Sequence, residues 1–466
     1  MKRKYSVTGL VFTLFGLVVF AYNCASNNKK ETGTQSEENV SFTEGAFMNH
    51  RDSVPSKQQY SAPLFVLSHD YPTSFTPIVD PPWRRALNGH PIDSSNVFPY
   101  MDSLKNYIAP RVIPFFTSNT TWTSAKYGWF NEPWLGSQRE AILGAYLGNG
   151  NPANMFKTLK EAEAGYALVL YDSIAAYTVG QIWGKTGQKV NLMNDAAQFK
   201  EGSVIVKLAF SNVNGPDWSP MDGAQTFDVY DTIPTRADPR LGYQMRKVSF
   251  FQMDIIVKDS ATSPQTGWVY STFVYDKLKP GKSFWDKMVP LGAMWGNDPD
   301  VNSPLQPPYP PLKETIINKL APEYSRETLG WGGRLSGPND GAVAQEAFDI
   351  NTGKKYNNLA LSSCMSCHSP AQDTFVSFLL PGPFPNDTLF VYTPGSPKWK
   401  LWFRNNYGNV PFDQGQVAMD YDMVMAFKSV GAYEAAKNPQ QTSQLKKNFE
   451  AVRKFRRHNT NARFWH

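Results

Sequence analysis

Residues 202–210, Gly-Ser-Val-Ile-Val-Lys-Leu-Ala-Phe, form one of three apolar runs that together predict a β-sheet. The other two are 248–257, Val-Ser-Phe-Phe-Gln-Met-Asp-Ile-Ile-Val, and 267–275, Gly-Trp-Val-Tyr-Ser-Thr-Phe-Val-Tyr. All three are rich in β-branched and aromatic residues and end at turn-forming residues, which is typical of strands. The turn-rich segment 258–266 joins the last two runs, so these form a long hairpin. In places both faces of the runs are apolar, as expected of a sheet that is covered on both sides.

Helices are predicted around these strands, which makes the fold class α+β. Residues 98–108 have a helical pattern, and 137–147 begin with Ser137 and Glu140 at the spacing of a capping box. Residues 416–436 also favour a helix, whereas 164–171 and 175–183 fit either a helix or a strand. We therefore expect an aromatic-rich α+β domain with antiparallel strands over 61–300.

The segment Cys364-Met365-Ser366-Cys367-His368 carries the clearest chemistry of the chain. Two thiols at this spacing with a histidine directly after the second are the attachment motif of c-type haem, and His is the usual proximal ligand of haem iron. A structural zinc site needs four ligands, and the chain has no second closely spaced Cys or His pair. A thioredoxin-like dithiol or a plain disulfide would leave His368 without a role. The motif predicts one covalent haem c held by Cys364, Cys367 and His368.

A change of composition separates the strand region from this motif. Residues 303–311 read Ser-Pro-Leu-Gln-Pro-Pro-Tyr-Pro-Pro, a stiff segment that suits a spacer between modules. We expect a proline-rich link over 301–324 and a small, mostly α-helical cytochrome c-like domain over 325–440.

The N-terminus predicts export. Residues 2–4 are Lys-Arg-Lys, residues 5–22 carry no charge, and Cys24 follows. A basic start and an apolar run form a signal peptide over 1–23, after which Cys24 is typical of a bacterial lipoprotein site. The alternative is an uncleaved anchor, because 18 uncharged residues are about the minimum for a membrane span. The polar stretch 24–60 is then a disordered, lipid-anchored tether, and the protein belongs to the cell envelope, at the outer membrane or its periplasmic face.

Composition agrees with an exported chain. There are three cysteines, one assigned to lipid and two to haem, so a hydrophobic core must stabilise the fold without a disulfide framework. The chain is 41% hydrophobic and 14% aromatic, enough for a large core. The net charge is +6, and a basic tail at 441–466 suits an acidic redox partner or anionic lipid headgroups, or is a solvated helix end. Export excludes nucleic acid as a partner.

Several Trp- and Gly-rich segments carry a resemblance to a family. They include Trp-Phe-Asn-Glu-Pro-Trp-Leu-Gly at 129–136, Trp-Gly-Asn-Asp-Pro at 295–299 and Leu-Gly-Trp-Gly-Gly-Arg at 329–334. With 199–210 and 266–276, they resemble a bacterial family of single-haem cytochrome c proteins over about residues 125–430. The resemblance implies a covalent haem and no particular activity.

Two further residues are candidates for haem contacts. Electron-carrying cytochromes usually hold iron between His and Met, and we choose Met419 as the sixth ligand, with Met423, a histidine or an open position as alternatives. Arg334, in a Gly-rich turn, is a candidate partner for a haem propionate, because guanidinium binds carboxylates with two hydrogen bonds.

These features favour an exported, lipid-anchored, single-haem cytochrome that transfers one electron at a time to a redox partner protein. One alternative is a haem enzyme of peroxidase or oxidase type, with a small substrate between the two domains. Another is a surface lipoprotein whose haem is structural or sensory. The length of 466 residues argues against a bare carrier, which needs about a hundred residues.

Overall fold

A computed structural model describes residues 46–50, 54–118, 120–133, 139–188, 190–193, 195–231, 243–301, 307–373, 390–431 and 433. The predicted signal peptide at 1–23, Cys24 and the basic tail at 441–466 lie outside the described residues. Within these ranges, no helix is both long and apolar enough to cross a bilayer.

Across the described residues, the main element is an eight-stranded sheet in which every neighbouring pair is antiparallel. The strand order is β1-β2-β3-β5-β6-β7-β8, and β4 pairs with β5. The strands are β1 Tyr146–Asn151, β2 Glu163–Tyr171, β3 Val204–Ser211, β4 Thr226–Asp231, β5 Gln244–Lys258, β6 Trp268–Tyr275, β7 Met288–Met294 and β8 Thr315–Ile317. The three predicted strands and the hairpin between β5 and β6 are confirmed, and so is the mixed α+β class.

Both faces of this sheet are buried, as the apolar runs predict. Along β2, Leu168 and Leu170 belong to one hydrophobic cluster, while Ala167, Val169 and Tyr171 belong to another. The alternation follows from the two-residue period of a strand, which sends successive side chains to opposite faces. The first cluster contains the long helix of the fold, and the second contains the Cys-Met-Ser-Cys-His segment.

The helices of the described chain are mostly short. They are α1 Pro82–Arg85, α2 Val97–Thr117, α3 Ser173–Trp183, α4 Glu323–Arg326, α5 Cys364–His368, α6 Pro397–Leu401 and a π-helix, α7, at Val424–Val430, with 3₁₀ turns at Ala125–Tyr127, Ser219–Met221 and Trp331–Gly333. The predicted helix at 98–108 is confirmed and continues to Thr117, because the buried side chains of Val112, Phe115 and Phe116 extend its apolar face past Pro110. Of the two ambiguous segments, 164–171 is a strand and 175–183 a helix.

One helix prediction is wrong and another is confirmed only in part. In the described part of 137–147, the carboxylate of Glu140 accepts hydrogen bonds from the backbone N–H of Ile142, Ala145 and Tyr230. These bonds make a buried turn instead of a capping box. Within 416–436, residues Val424–Val430 are helical, as α7. Before them, Asp420 and Tyr421 have φ of 46° and 67°, a left-handed backbone that cannot continue a right-handed helix.

The described part of 325–440 is not mostly helical. A three-stranded sheet of order β10-β9-β11 lies there, formed by β9 Val343–Asp349, β10 Lys355–Ala360 and β11 Phe390–Val391. Strand β10 was not predicted, because the charged and amide residues of 354–358 leave it without an apolar pattern.

The segment predicted as a link is also part of the fold. Strand β8 lies within 301–324 and pairs with β7. The described residues between 46 and 433 belong to one compact unit, so Cys364, Cys367 and His368 do not lie on a separate body.

The described end of the predicted tether packs against the fold. Ala46 is buried, and the Phe47 ring stacks on His69 with ring centroids 4.8 Å apart. The Asn49 side chain accepts a hydrogen bond from the Leu67 backbone N–H at 2.8 Å. These contacts place residues 46–50 in the body, so the tether prediction is wrong for them.

Candidate functional site

The short helix α5 carries the two thiols and the histidine of the motif. Ser363 caps it: its hydroxyl accepts from the Ser366 N–H at 3.2 Å, while the Ser366 hydroxyl accepts from the Ser363 N–H at 2.7 Å. This reciprocal capping box satisfies two backbone donors at the helix start. No disulfide joins Cys364 and Cys367, although they lie on one turn.

The imidazole of His368 is held by a backbone carbonyl. Its Nδ1 lies 2.8 Å from the Tyr421 carbonyl oxygen. A carbonyl only accepts hydrogen bonds, so Nδ1 carries the proton and the lone pair is on Nε2. Burial lowers the pKa of His368 to about 4, so the ring is neutral at pH 7. A neutral imidazole that is held in one orientation, with its lone pair on Nε2, can bind a metal ion.

A cavity of about 160 Å³ lies in front of this helix, between α5 and the main sheet. The sheet contributes alternate residues of β2, β3, β5 and β6, and the turn at 420–424 forms another wall. Tyr and Trp side chains from β1, β2, β6 and the turn contribute to the lining, and the Tyr270 ring meets the His368 ring edge-on with centroids 5.1 Å apart. The lining includes Val169, Tyr171, Ile205, Lys207, Asp254, Ile256, Trp268, Tyr270, Cys364, Cys367, His368 and Met423.

One wall of the cavity carries an ionic cluster. The Lys207 ammonium lies 2.6 Å from Asp340 and 3.3 Å from Asp254. Burial raises the pKa of Asp254, which also accepts hydrogen bonds from Thr272 and Gln252. The Cys364 sulfur lies 4.0 Å from Asp340, and burial with the nearby carboxylates raises the pKa of its thiol well above the usual value.

On the opposite wall, three consecutive residues have carboxylate or phenol side chains. Asp422 accepts a hydrogen bond from the Tyr171 hydroxyl at 2.8 Å, and burial raises the pKa of Asp422 to about 7. Asp420 is fully buried against Lys258, with Nζ to Oδ1 at 2.7 Å. The cavity lining therefore combines apolar and aromatic side chains with two groups of charged ones.

The donor set of the site fits a covalent haem. The two thiols and the lone pair of His368 face one cavity, and the Ser336 hydroxyl in its wall is buried without a hydrogen-bond partner. A buried polar atom of this kind is costly unless a ligand or water satisfies it. The cavity measures about 160 Å³, and a porphyrin needs more room, so lining side chains would have to turn aside to admit one.

The structure separates the predicted iron ligands. Met423 lines the cavity with His368, whereas Met419 is buried beside it and is not among the lining residues. The Met419 backbone N–H donates instead to the Ala371 carbonyl at 2.9 Å. Of the two methionines, Met423 is therefore the one placed to approach a group in the cavity.

Arg334 is placed for a structural role. Its guanidinium donates to the backbone carbonyls of Asn297, Trp331, Asp298 and Val301 and is 1% exposed. It does not line the cavity. The predicted contact with a haem propionate has no support in this geometry, because the donors already bind the main chain.

Sequence reasoning missed Lys207, Asp254, Asp420 and Asp422. Lys207 and Asp254 were visible as single charges inside apolar strand runs, a pattern that marks buried and paired charges. Asp420 and Asp422 gave no such signal, because they lay in a segment interpreted as a helix.

Among the residues that the structure describes, no group of three or more His, Cys, Asp or Glu is arranged to hold a metal ion. No protein-family model, curated protein or solved structure matches this chain.

Proposed function

We propose that the protein is a c-type cytochrome with one covalent haem that transfers single electrons. The observation that carries this proposal is the hydrogen bond from His368 Nδ1 to the Tyr421 carbonyl, with both thiols facing the same cavity. This bond leaves Nε2 directed to a ligand and raises the basicity of the ring. Bound haem would supply one-electron exchange at its iron.

Each residue of the site has a distinct role in this proposal. Cys364 and Cys367 would hold the haem through two thioethers, and His368 would bind its iron through Nε2. Met423, in place of Met419, is the methionine that approaches the iron from the cavity wall. The aromatic lining excludes water, which tunes the potential through burial.

In this proposal, segment 325–440 resembles a cytochrome c in the residues that attach haem. Because its described residues form a small sheet and short helices, the main sheet completes the haem pocket through Tyr270 and Trp268. The main sheet would then form one wall of the haem pocket, a role that explains why the chain is much longer than a protein that only carries electrons.

A haem enzyme of peroxidase or oxidase type is the second candidate. The cluster of Lys207, Asp254 and Asp340 in the cavity wall favours it. Acid–base groups beside a haem can move protons during oxidation of a substrate, and electron transfer alone does not need them.

Visible spectroscopy of protein matured in a host that assembles c-type cytochromes tests the proposal. We expect the reduced spectrum of a c-type haem, lost in the double variant Cys364→Ser/Cys367→Ser. A matched control is Met365→Leu on the same helix turn, which keeps both thiols. Colourless wild-type protein overturns the proposal. Rapid binding of carbon monoxide by the reduced form favours the enzyme, and slow or absent binding favours the carrier.

We further propose that the chain is exported and anchored in the cell envelope through lipid on Cys24, where it meets a redox partner protein. Replacing Cys24 by Ser should release the protein from the membrane fraction into the soluble fraction. If the Cys24→Ser protein stays in the membrane fraction, the lipid anchor is wrong.

A further inference from the structure

The turn that holds His368 has an unusual backbone. Asp420 and Tyr421 are consecutive non-glycine residues with φ of 46° and 67°. A bulky side chain such as Tyr rarely adopts this left-handed conformation, and it persists where surrounding contacts enforce it. The Tyr421 carbonyl that accepts from His368 belongs to this turn.

The carboxylate of Asp420 ties the turn to the main sheet. It accepts from Lys258 Nζ at 2.7 and 2.9 Å, from Trp268 Nε1 at 2.7 Å and from the Phe199 backbone N–H at 2.8 Å. Lys258 ends β5 and Trp268 begins β6, so the carboxylate is fixed by both strands of the hairpin. Asp420 is 0% exposed and the Lys258 side chain 5%, so neither charge has bulk water as an alternative partner.

Neighbouring contacts leave the turn little freedom. A Cβ at Gly408 would lie 1.6 Å from the Asp420 carboxylate, so only glycine allows the chain to pass there. The Tyr421 hydroxyl donates to the Asn406 carbonyl at 2.8 Å. Asp422 accepts from Tyr171 on β2. The turn is thus anchored on both sides of the carbonyl that faces His368.

We propose that the buried pair of Lys258 and Asp420 positions His368. The pair acts through the turn, because Lys258 holds the Asp420 carboxylate at the start of the turn. The strained turn then directs the Tyr421 carbonyl toward His368. The hydrogen bond to that carbonyl sets the tautomer and the direction of the imidazole. This inference deepens the proposed function, because an oriented Nε2 matters when iron binds there, but the positioning itself precedes any haem. Lys258 and Asp420 are positioning residues: Asp420 also lines the cavity, but its hydrogen bonds go to Lys258, Trp268 and the Phe199 backbone rather than to His368.

The positioning can be measured without haem, in a chain with Cys364→Ala and Cys367→Ala. The ¹⁵N chemical shifts of His368 report which ring nitrogen carries the proton. We expect the Nδ1–H tautomer to dominate, and Asp420→Asn to shift the tautomer ratio by roughly fivefold or more, the worth of one hydrogen bond. The matched control is Asp228→Asn, whose partner Lys247 is exposed, and its ratio should stay unchanged. An unchanged ratio in folded Asp420→Asn overturns the inference.

A milder variant covers the case in which Asp420→Asn does not fold. Trp268→Phe removes one donor to Asp420 and keeps an aromatic ring. The control is Trp183→Phe, because the buried Trp183 Nε1 has no partner to lose. Trp268→Phe should shift the tautomer ratio in the same direction and Trp183→Phe should not. Equal ratios in the two variants contradict the inference.

The haem-loaded protein gives a second readout. Loss of the Tyr421 hydrogen bond lowers the basicity of His368, so Asp420→Asn should weaken the iron–histidine bond in the resonance Raman spectrum and raise the reduction potential, with Lys258→Arg close to wild type. If neither the wild type nor any variant attaches haem, the proposed function is wrong. The tautomer experiment still tests whether Lys258 and Asp420 position His368. If haem attaches and the iron–histidine band is unchanged in Asp420→Asn, the positioning is wrong and the proposed function stands.

Discussion

The buried carboxyl group of Glu163 makes the stability of this fold depend on pH. Its side chain is almost fully buried and accepts a hydrogen bond from Asn151 at 2.9 Å. Burial raises the pKa of Glu163 to about 7. Between its ordinary pKa of 4.5 and about 7, the folded chain keeps a proton that the unfolded chain loses. The stability contributed by this group is therefore complete below about pH 4.5 and is lost as the pH rises toward 7.

We predict that Glu163→Gln removes this pH dependence. Relative to wild type, the variant should gain stability as the pH rises from 4.5 to 7, by at most about 3 kcal/mol, since one pKa unit is worth about 1.4 kcal/mol. Urea unfolding at several pH values measures the difference. A constant difference across this range would contradict a raised pKa for Glu163.

The two methionines give a residue-scale test of iron ligation. Met423 lines the cavity and Met419 does not, so Met423→Leu should abolish the Met-to-iron charge-transfer band of the oxidised protein. Met419→Leu is the control of equal size and should keep the band. The opposite result would restore Met419 as the ligand, and a band present in both variants would exclude both residues.

At this scale, the motif residues were predictable and their partners were not. Cys364, Cys367 and His368 are specified by spacing alone. The predicted contact of Arg334 with a haem propionate has no support, because sequence does not tell which acceptors a buried guanidinium meets, and here they are backbone carbonyls. Lys258 and Asp420 are 162 positions apart, so only the fold brings them together.

Among the elements, helix α5 depends on its cap. We predict that Ser363→Ala lowers the free energy of unfolding by about 1 kcal/mol, because it removes the N-cap acceptor of the capping box. Ser74→Ala, at an exposed position, is the control and should change stability by less than about 0.5 kcal/mol. Chemical denaturation of both variants checks this. Equal stabilities would show that the cap contributes nothing to the fold.

Strands were easier to predict than helices in this chain. Strands β3, β5 and β6 are buried on both faces, so their residues form apolar runs that sequence reveals directly. The helix prediction at 137–147 failed, and the one at 416–436 failed before α7, because side-chain hydrogen bonds of Glu140 and Asp420 hold turns there. Such tertiary anchoring outweighs helix propensity, which is a weak preference.

For the whole molecule, the cavity requires both the main sheet and the segment that contains Cys364, Cys367 and His368. Tyr171, Trp268 and Tyr270 come from strands β2 and β6, whereas His368 and Met423 come from the later part of the chain. A predicted domain at 325–440 therefore lacks one wall of its own site. The error arose because the proline-rich composition of 303–311 suggests a spacer, although β8 follows it and pairs with β7.

We predict that residues 325–440 expressed alone do not fold cooperatively. Without the sheet, the apolar side chains around α5 are exposed and the partners of Asp420 and Asp422 are missing. Thermal unfolding followed by circular dichroism should show no sharp transition, in contrast to the whole chain. A cooperative transition with the tautomer of His368 preserved would mean that the segment is an independent domain.

Intact-mass spectrometry tests directly whether a haem is covalently attached to this protein. Wild-type protein from a host competent in cytochrome c assembly should be heavier than the apo chain by the mass of one haem, and digestion should locate that mass on the peptide with Cys364 and Cys367. The Cys364→Ser/Cys367→Ser variant should lack the added mass. Wild-type protein at the mass of the bare chain, with both thiols open to alkylation, would contradict the account.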